Sequence, residues 1–185
     1  MGHHTFDSDK ASSLERAERY RYLSRDELLA LLAPTADDVV ADLGSGTGFY
    51  TDDVAPYVEK VYGVDLQEEM HDSYREKGVP DNVELVTADV SDLPMEDDAL
   101  DSVLSTMTFH EFAIPESLSE IRRVLRPGGR VMIADWGGNG EGESGPPTDH
   151  RFHVGDAAAQ LSDAGFAIER AESRRETFVV VARND

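Results

Sequence analysis

Three kinds of side chain in this sequence are spaced for chemistry. Gly44, Gly46 and Gly48 alternate through Gly44-Ser45-Gly46-Thr47-Gly48, so the backbone can turn tightly there and a ligand can approach it closely. Asp42 stands just before that turn, and Asp65 follows the first glycine by roughly twenty residues, the distance at which a carboxylate typically holds the two hydroxyls of a ribose. His110, within Thr106-Met107-Thr108-Phe109-His110-Glu111-Phe112, has an ordinary pKa near neutrality and is suited to take a proton. Glycines, ribose carboxylate and base together describe a nucleotide cradle with reactive chemistry beside it.

Details narrow the nucleotide. A dinucleotide turn reads G-x-G-x-x-G/A, with a small last residue for close helix packing, whereas Phe49 holds that position here. A carboxylate at Asp42 would repel a diphosphate and favour a ligand carrying an ammonium and a sulfonium, which points to S-adenosylmethionine. A phosphate-binding P-loop is excluded because no Gly-Lys-Ser/Thr follows. Asp65 does not separate S-adenosylmethionine from NAD, since both carry such a ribose.

These residues need elements to hold them. Val39 to Leu43 form a short apolar run ahead of the glycines, predicting a buried strand and then a helix whose first N–H groups point back into the turn. Further strands are expected over 60–64, 82–87, 100–105 and 131–135, with a final hairpin of 166–173 and 176–182. Helices are expected over 67–76, from Pro115 along the stripe Leu118, Ile121, Val124 and Leu125, and over 155–164. Ser24-Arg25-Asp26-Glu27 has capping-box form and opens a leucine-rich helix that Pro34 closes. In a doubly wound α/β sheet, ligands sit beyond the carboxyl ends of the strands, so the 106–112 loop stands beside the reacting group, with His110 as the candidate catalytic base and Glu111 as a group that can orient it. Residues 136–151, rich in Gly, Pro and acid, form a loop long enough to be functional, and Trp136, Asp149, His150 and Arg151 are its candidates to meet an acceptor.

From Asp42 through Gly48, and over roughly residues 35–183, the chain resembles the class I S-adenosylmethionine-dependent methyltransferases, most closely the broad group that includes quinone-type enzymes. The resemblance implies a Rossmann-like doubly wound sheet of seven strands in the order 3-2-1-4-5-7-6, strand 7 antiparallel, with helices on both faces. It implies cofactor contacts from Asp42, Gly44, Ser45, Gly46, Gly48, Asp65 and Thr106, with Leu66 and Met70 near the adenine. Asp89 would accept from the adenine amino group and the Val90 N–H would meet the ring; the plain alternative for Asp89 is an Asx turn. Leu125-Arg126-Pro127-Gly128-Gly129 also resembles the family and is a structural turn. The implied reaction moves a methyl group from S-adenosylmethionine to a small-molecule acceptor, leaving S-adenosylhomocysteine. The helix before Pro34 can form a lid, with Tyr20 or Tyr22 touching the cofactor, so residues 1–34 are expected to be an extension and 35–185 the methyltransferase domain. Two other readings stay open: an NAD(P)-dependent oxidoreductase, and a cofactor-binding protein that does not catalyse.

Composition bounds the rest. The chain has 185 residues, enough for one three-layer core. No apolar run is long enough to span a bilayer. The start, Met1-Gly2-His3-His4-Thr5, lacks signal-peptide character. Zero Cys excludes thiolate chemistry and suits the cytoplasm. His110, His150 and His153 lack the spacing of a metal site, and none is expected. The formal net charge of -21, with three Lys against fourteen Arg, reads as a surface built for high salt and a halophilic archaeal source, and such a field disfavours nucleic acid as a substrate. Oligomeric state is not legible.

Overall fold

The computed structural model describes residues 13–185; Met1-Gly2-His3-His4-Thr5 lies outside them. The chain runs through α1 (Arg25–Leu32), β1 (Val39–Leu43), α2 (Thr51–Val54), β2 (Lys60–Asp65), α3 (Glu68–Lys77), β3 (Val83–Thr87) and β4 (Leu100–Thr106). It continues through α4 (Phe109–Phe112), α5 (Pro115–Val124), β5 (Leu125–Trp136), α6 (Val154–Asp163), β6 (Phe166–Ser173) and β7 (Thr177–Asn184). The strands form one seven-stranded sheet in the order β3-β2-β1-β4-β5-β7-β6. The first five are parallel, and β7 runs antiparallel between β5 and β6. This is the doubly wound sheet that the sequence leads one to expect.

Both faces of the sheet are covered, which is why its strands read as continuous apolar runs rather than alternating ones. In β1, Ala41 and Leu43 join one core while Val40 joins the other. In β5, Val131 and Ile133 face the first core, and Met132 and Ala134 the second. The first core takes Leu118, Ile121 and Val124 of α5 together with Ala157 and Leu161 of α6. The second takes Leu28, Leu31 and Leu32 of α1.

Two elements differ in detail from the sequence reading. The helix after the glycine turn is short: α2 has 4 residues and passes at Ala55 into a 3-10 turn carrying Pro56, which cannot donate an N–H. Its dipole therefore adds little to the cradle. The fifth strand begins earlier than expected, because Leu125 pairs with Leu100 before a register break that brings Arg130 opposite Ser102. The Pro-Gly-Gly turn is thus an irregularity inside the strand, with Gly128 at φ 76. Helix α1 packs on the sheet. Its leucines are buried against the sheet, its Ser24 cap accepts from the Glu27 amide, and Arg130 Nη1 donates to the Leu31 carbonyl at 3.0 Å. The segment that reaches the cavity described next is residues 13–22.

Candidate active site

The carboxyl ends of β1, β2, β3, β4 and β5 open into one cavity of about 1070 Å³. At its floor, the Gly44 and Ser45 amides donate to the Val64 carbonyl at 2.8 and 2.9 Å, tying the turn after β1 to β2. Asp65, at the end of β2, accepts from the Gly46 amide at 2.8 Å and the Gln67 amide at 2.9 Å. Two glycines are required by packing as well as by backbone. A Cβ on Gly44 (φ +78) would lie 2.4 Å from Thr108, and one on Gly48 (φ +81) would lie 2.1 Å from the Tyr74 ring. Gly48 therefore serves the core, and it does not line the cavity.

Asp42 is also set behind the lining, only 1% exposed. Thr51 Oγ1 donates to its Oδ2 at 2.6 Å, while its Oδ1 is buried with no hydrogen-bond partner. Burial pushes its carboxyl up to about 6, against the Thr51 hydrogen bond and the charge of Arg19, which both pull it down. The Ser45 hydroxyl is likewise buried without a partner. A ligand donor placed over this floor would satisfy groups that the protein alone leaves unpaired.

Leu66, Met70, Asp89, Val90 and Thr106 line the same cavity. Asp89 Oδ1 accepts from the Ser91 amide at 2.8 Å and hydroxyl at 2.7 Å, so it forms the Asx turn and faces the cavity as well. Met107, where β4 leaves the sheet, sits at φ 62, an unusual conformation for a side-chain-bearing residue.

The reactive end lies between β4 and β5. Asp135, 0% exposed, accepts the His110 backbone N–H at 2.7 Å and the Trp136 N–H at 2.7 Å, and its two carboxylate oxygens lie 3.0 Å from His110 Nδ1. These donors are what make so deep a carboxylate tolerable. Donation from Nδ1 to Asp135 assigns the tautomer and leaves Nε2 as the basic nitrogen of the neutral ring. Burial pulls the His110 pKa down, but the hydrogen bond and charge of Asp135, with Glu111 adding to them, outweigh it, and the net shift is upward. Glu111 Oε1 stands 4.0 Å from Nε2, and burial pushes its carboxyl up to about 7.

The sequence marks Asp135 only as a strand end. Val-Met-Ile-Ala-Asp repeats the grammar of Val-Val-Ala-Asp at β1, an acid closing an apolar run, and that signal could have found it.

Trp136, His150 and Pro146 of the long loop line the cavity, whereas Asp149 does not. Arg151 is structural, its guanidinium buried against Glu176 at 3.3 Å and the Pro146 carbonyl at 2.9 Å. Across the mouth, Tyr22 donates to Ser144 Oγ at 2.9 Å and packs edge-on to Trp136 at 4.8 Å, joining the loop to the segment before α1. Tyr20 instead donates to Asp53 at 2.9 Å. Among the described residues, the one triad of possible metal ligands is Glu141, Glu143 and Glu176, which already meets Arg175 and Arg151.

Comparison with known proteins fits this geometry. Residues 41–133, from the middle of β1 into β5, match the family model described as a methyltransferase domain. The chain belongs to the methyltransferase domain family. The cofactor of such a domain is S-adenosylmethionine, and the orphaned Asp42 and Ser45 oxygens and the glycine cradle fit it. The chain is similar to an S-adenosylmethionine-dependent methyltransferase from Aquifex aeolicus, with TM-score 0.88, 29% identity, and 98% of this chain and 100% of that one covered. The demethylmenaquinone methyltransferase of Clavibacter sepedonicus is 32% identical over 133 residues, covering 68% of this chain and 54% of that protein. A methyltransferase of Haloferax volcanii solved in complex with the Trm112 activator shares the fold at TM-score 0.80 and 22% identity, covering 96% of each chain. The chain spans roughly half the length, or less, of the curated relatives it matches. Among the described residues, no helix is long and apolar enough to cross a membrane.

Proposed function

We propose that this chain transfers the methyl group of S-adenosylmethionine to a small molecule held beside His110, releasing S-adenosylhomocysteine. The observation that carries the reading is His110, backed by the buried Asp135, in the wall of the cavity whose floor is the glycine turn. That cavity is at the top of the roughly 300–1,000 Å³ that usually holds one ligand, which supports a second occupant beside the cofactor.

Gly44, Ser45 and Gly46 would cradle the cofactor, Asp65 its ribose, and Asp89, Val90, Leu66 and Met70 its adenine, with Thr106 on the adjoining wall and Asp42 beneath. When bound, S-adenosylmethionine supplies an electrophilic methyl group on sulfur and a thioether leaving group. The chain's own work is alignment and proton handling. His110 Nε2 takes the acceptor's proton as the acceptor atom bonds to the methyl carbon, and Asp135 steadies the imidazolium so formed. The Tyr22, Trp136 and Ser144 contacts across the mouth exclude water.

In this reading residues 1–34 are an extension that closes the cavity and 35–185 the catalytic domain. The acidic surface is an adaptation to a salt-rich cytoplasm, as in a halophilic archaeon, and it turns away nucleic acid.

The test is binding and turnover together. S-adenosylhomocysteine should bind in calorimetry, Asp65→Ala should weaken it, and NADH should not compete. With methyl-labelled cofactor and a metabolite extract, wild type should label a small molecule, and His110→Ala should lower the rate about 10²–10⁴-fold while cofactor affinity holds. An unchanged rate in that variant would remove His110 as the base.

A further inference from the structure

The segment before α1 brings an arginine into the cavity from outside the stretch matched to the family. Residues Ala17–Arg21 form a 3-10 turn, and Arg19 points inward from it. Its guanidinium carbon lies 5.0 Å from the Phe49 ring centre and 4.9 Å from that of Tyr50, and Nη1 donates to the Leu14 carbonyl at 2.9 Å. The Tyr50 hydroxyl in turn lies 3.2 Å from the Arg19 carbonyl and 3.1 Å from that of Leu23, pinning the turn in place. Phe49 and Tyr50 directly follow the glycine turn, so this cation is held beside the floor of the cradle.

Its charge is poorly compensated. Among the described residues no carboxylate lies within ion-pair distance of Arg19, although Asp42 and Glu15 act on it through space. Burial pulls its pKa down by more than these anions raise it. Arg16 and Arg21 also line the cavity, as do Glu18, Asp65, Asp89 and Glu111, but Arg19 is the desolvated cation held against Phe49 and Tyr50 beside the glycine turn, with Asp42 beneath, and its guanidinium is the missing half of a zwitterion trap. Asp42 can attract an ammonium group, and a carboxylate needs a cation close by.

We infer that Arg19 binds the carboxylate of the cofactor's methionine end, as a binding residue contributed by the N-terminal segment rather than by the sheet. The inference rests on the methyltransferase reading above. It makes residues 13–22 part of the cofactor site: when the carboxylate is in place, the strap that also carries Tyr22 over the acceptor side is held down.

Three ligands separate this role from a structural one: S-adenosylhomocysteine, its decarboxylated analogue, and 5′-methylthioadenosine, which lacks the whole amino-acid end. By calorimetry, wild type should prefer S-adenosylhomocysteine over the decarboxylated analogue about 10- to 100-fold, the range of one or two charge-assisted bonds. Arg19→Gln should lose that preference while binding 5′-methylthioadenosine as wild type does, and Arg19→Lys should recover part of it. The inference is overturned if Arg19→Gln keeps the preference. It is equally overturned if the variant loses all three ligands alike, since that marks a packing role. Wild type binding none of the three would overturn the methyltransferase reading itself, and this inference with it.

Discussion

Asp135 holds His110 twice, by its backbone N–H at 2.7 Å and by its ring at 3.0 Å, although 25 residues separate them in the chain. The contact follows from topology: Thr106, the last residue of β4, and Ala134 of β5 are register partners, so Asp135, next along β5, meets the turn that leaves β4.

Removing that carboxylate should change how stability depends on pH. His110 titrates above its ordinary 6.5 in the fold, so the stability it contributes is complete below that value and is lost as pH rises through the higher folded-state pKa. Between those two values wild type should lose at most about 1.4 kcal/mol per pH unit from this group, and Asp135→Asn should abolish that slope. Asp135→Asn should also cost about 1–3 kcal/mol at every pH, because one buried amide loses its acceptor. Urea unfolding across about pH 5.5 to 8.5, with the His110 ring followed by NMR, reads both effects; an unaltered ring titration would show that Asp135 does not set it.

Asp42 gives a slope of the same sign in a lower pH window, but there the substitution should stabilise. Its carboxyl is pushed from 3.8 to about 6 by burial, so the fold is favoured at low pH, and that advantage is lost as pH climbs from about 4 to 6. Above that window Asp42→Asn, which still offers Thr51 an acceptor, should be more stable than wild type by an amount on the order of 3 kcal/mol. The same substitution should shrink the rise in melting temperature that S-adenosylhomocysteine gives. A variant that is less stable at neutral pH would contradict the reading of Asp42 as an uncompensated charge.

Gly48→Ala should destabilise by about 2–5 kcal/mol, combining left-handed backbone strain with overpacking. The new methyl would fall inside the Tyr74 ring at a position with φ +81. Gly78→Ala is the control: φ is +103 there, but nothing lies within 4 Å of the added carbon, so only the strain should be felt. Equal urea midpoints for the two variants would argue against the packing role.

The charge of -21 should make the protein salt-dependent. Melting temperature is expected to rise between about 0.1 M and 2 M KCl as screening shortens to a few ångströms. No change across that range would count against the high-salt reading.

The sheet was legible because β1 and β5 carry apolar runs that reach an acid, Val39 to Asp42 and Val131 to Asp135, a pattern that burial on both faces imposes. The cradle was legible because only glycine serves at its turns. What escaped has a common cause. Asp135 acts through a contact between neighbouring parallel strands, Arg19 through a segment with no periodicity, and the brevity of α2 through Pro56, whose effect depends on where the first turn begins. None of these is a property of one local window.

The chain contains a single indole, at Trp136, and it lies in the wall of the acceptor side between the Tyr22 ring at 4.8 Å and the Arg151 guanidinium at 5.4 Å. The protein thus carries its own optical reporter. Excited near 295 nm, where indole absorbs and phenol scarcely does, its emission comes from that one spot, so candidate metabolites can be screened by fluorescence with no label attached and before any turnover is known.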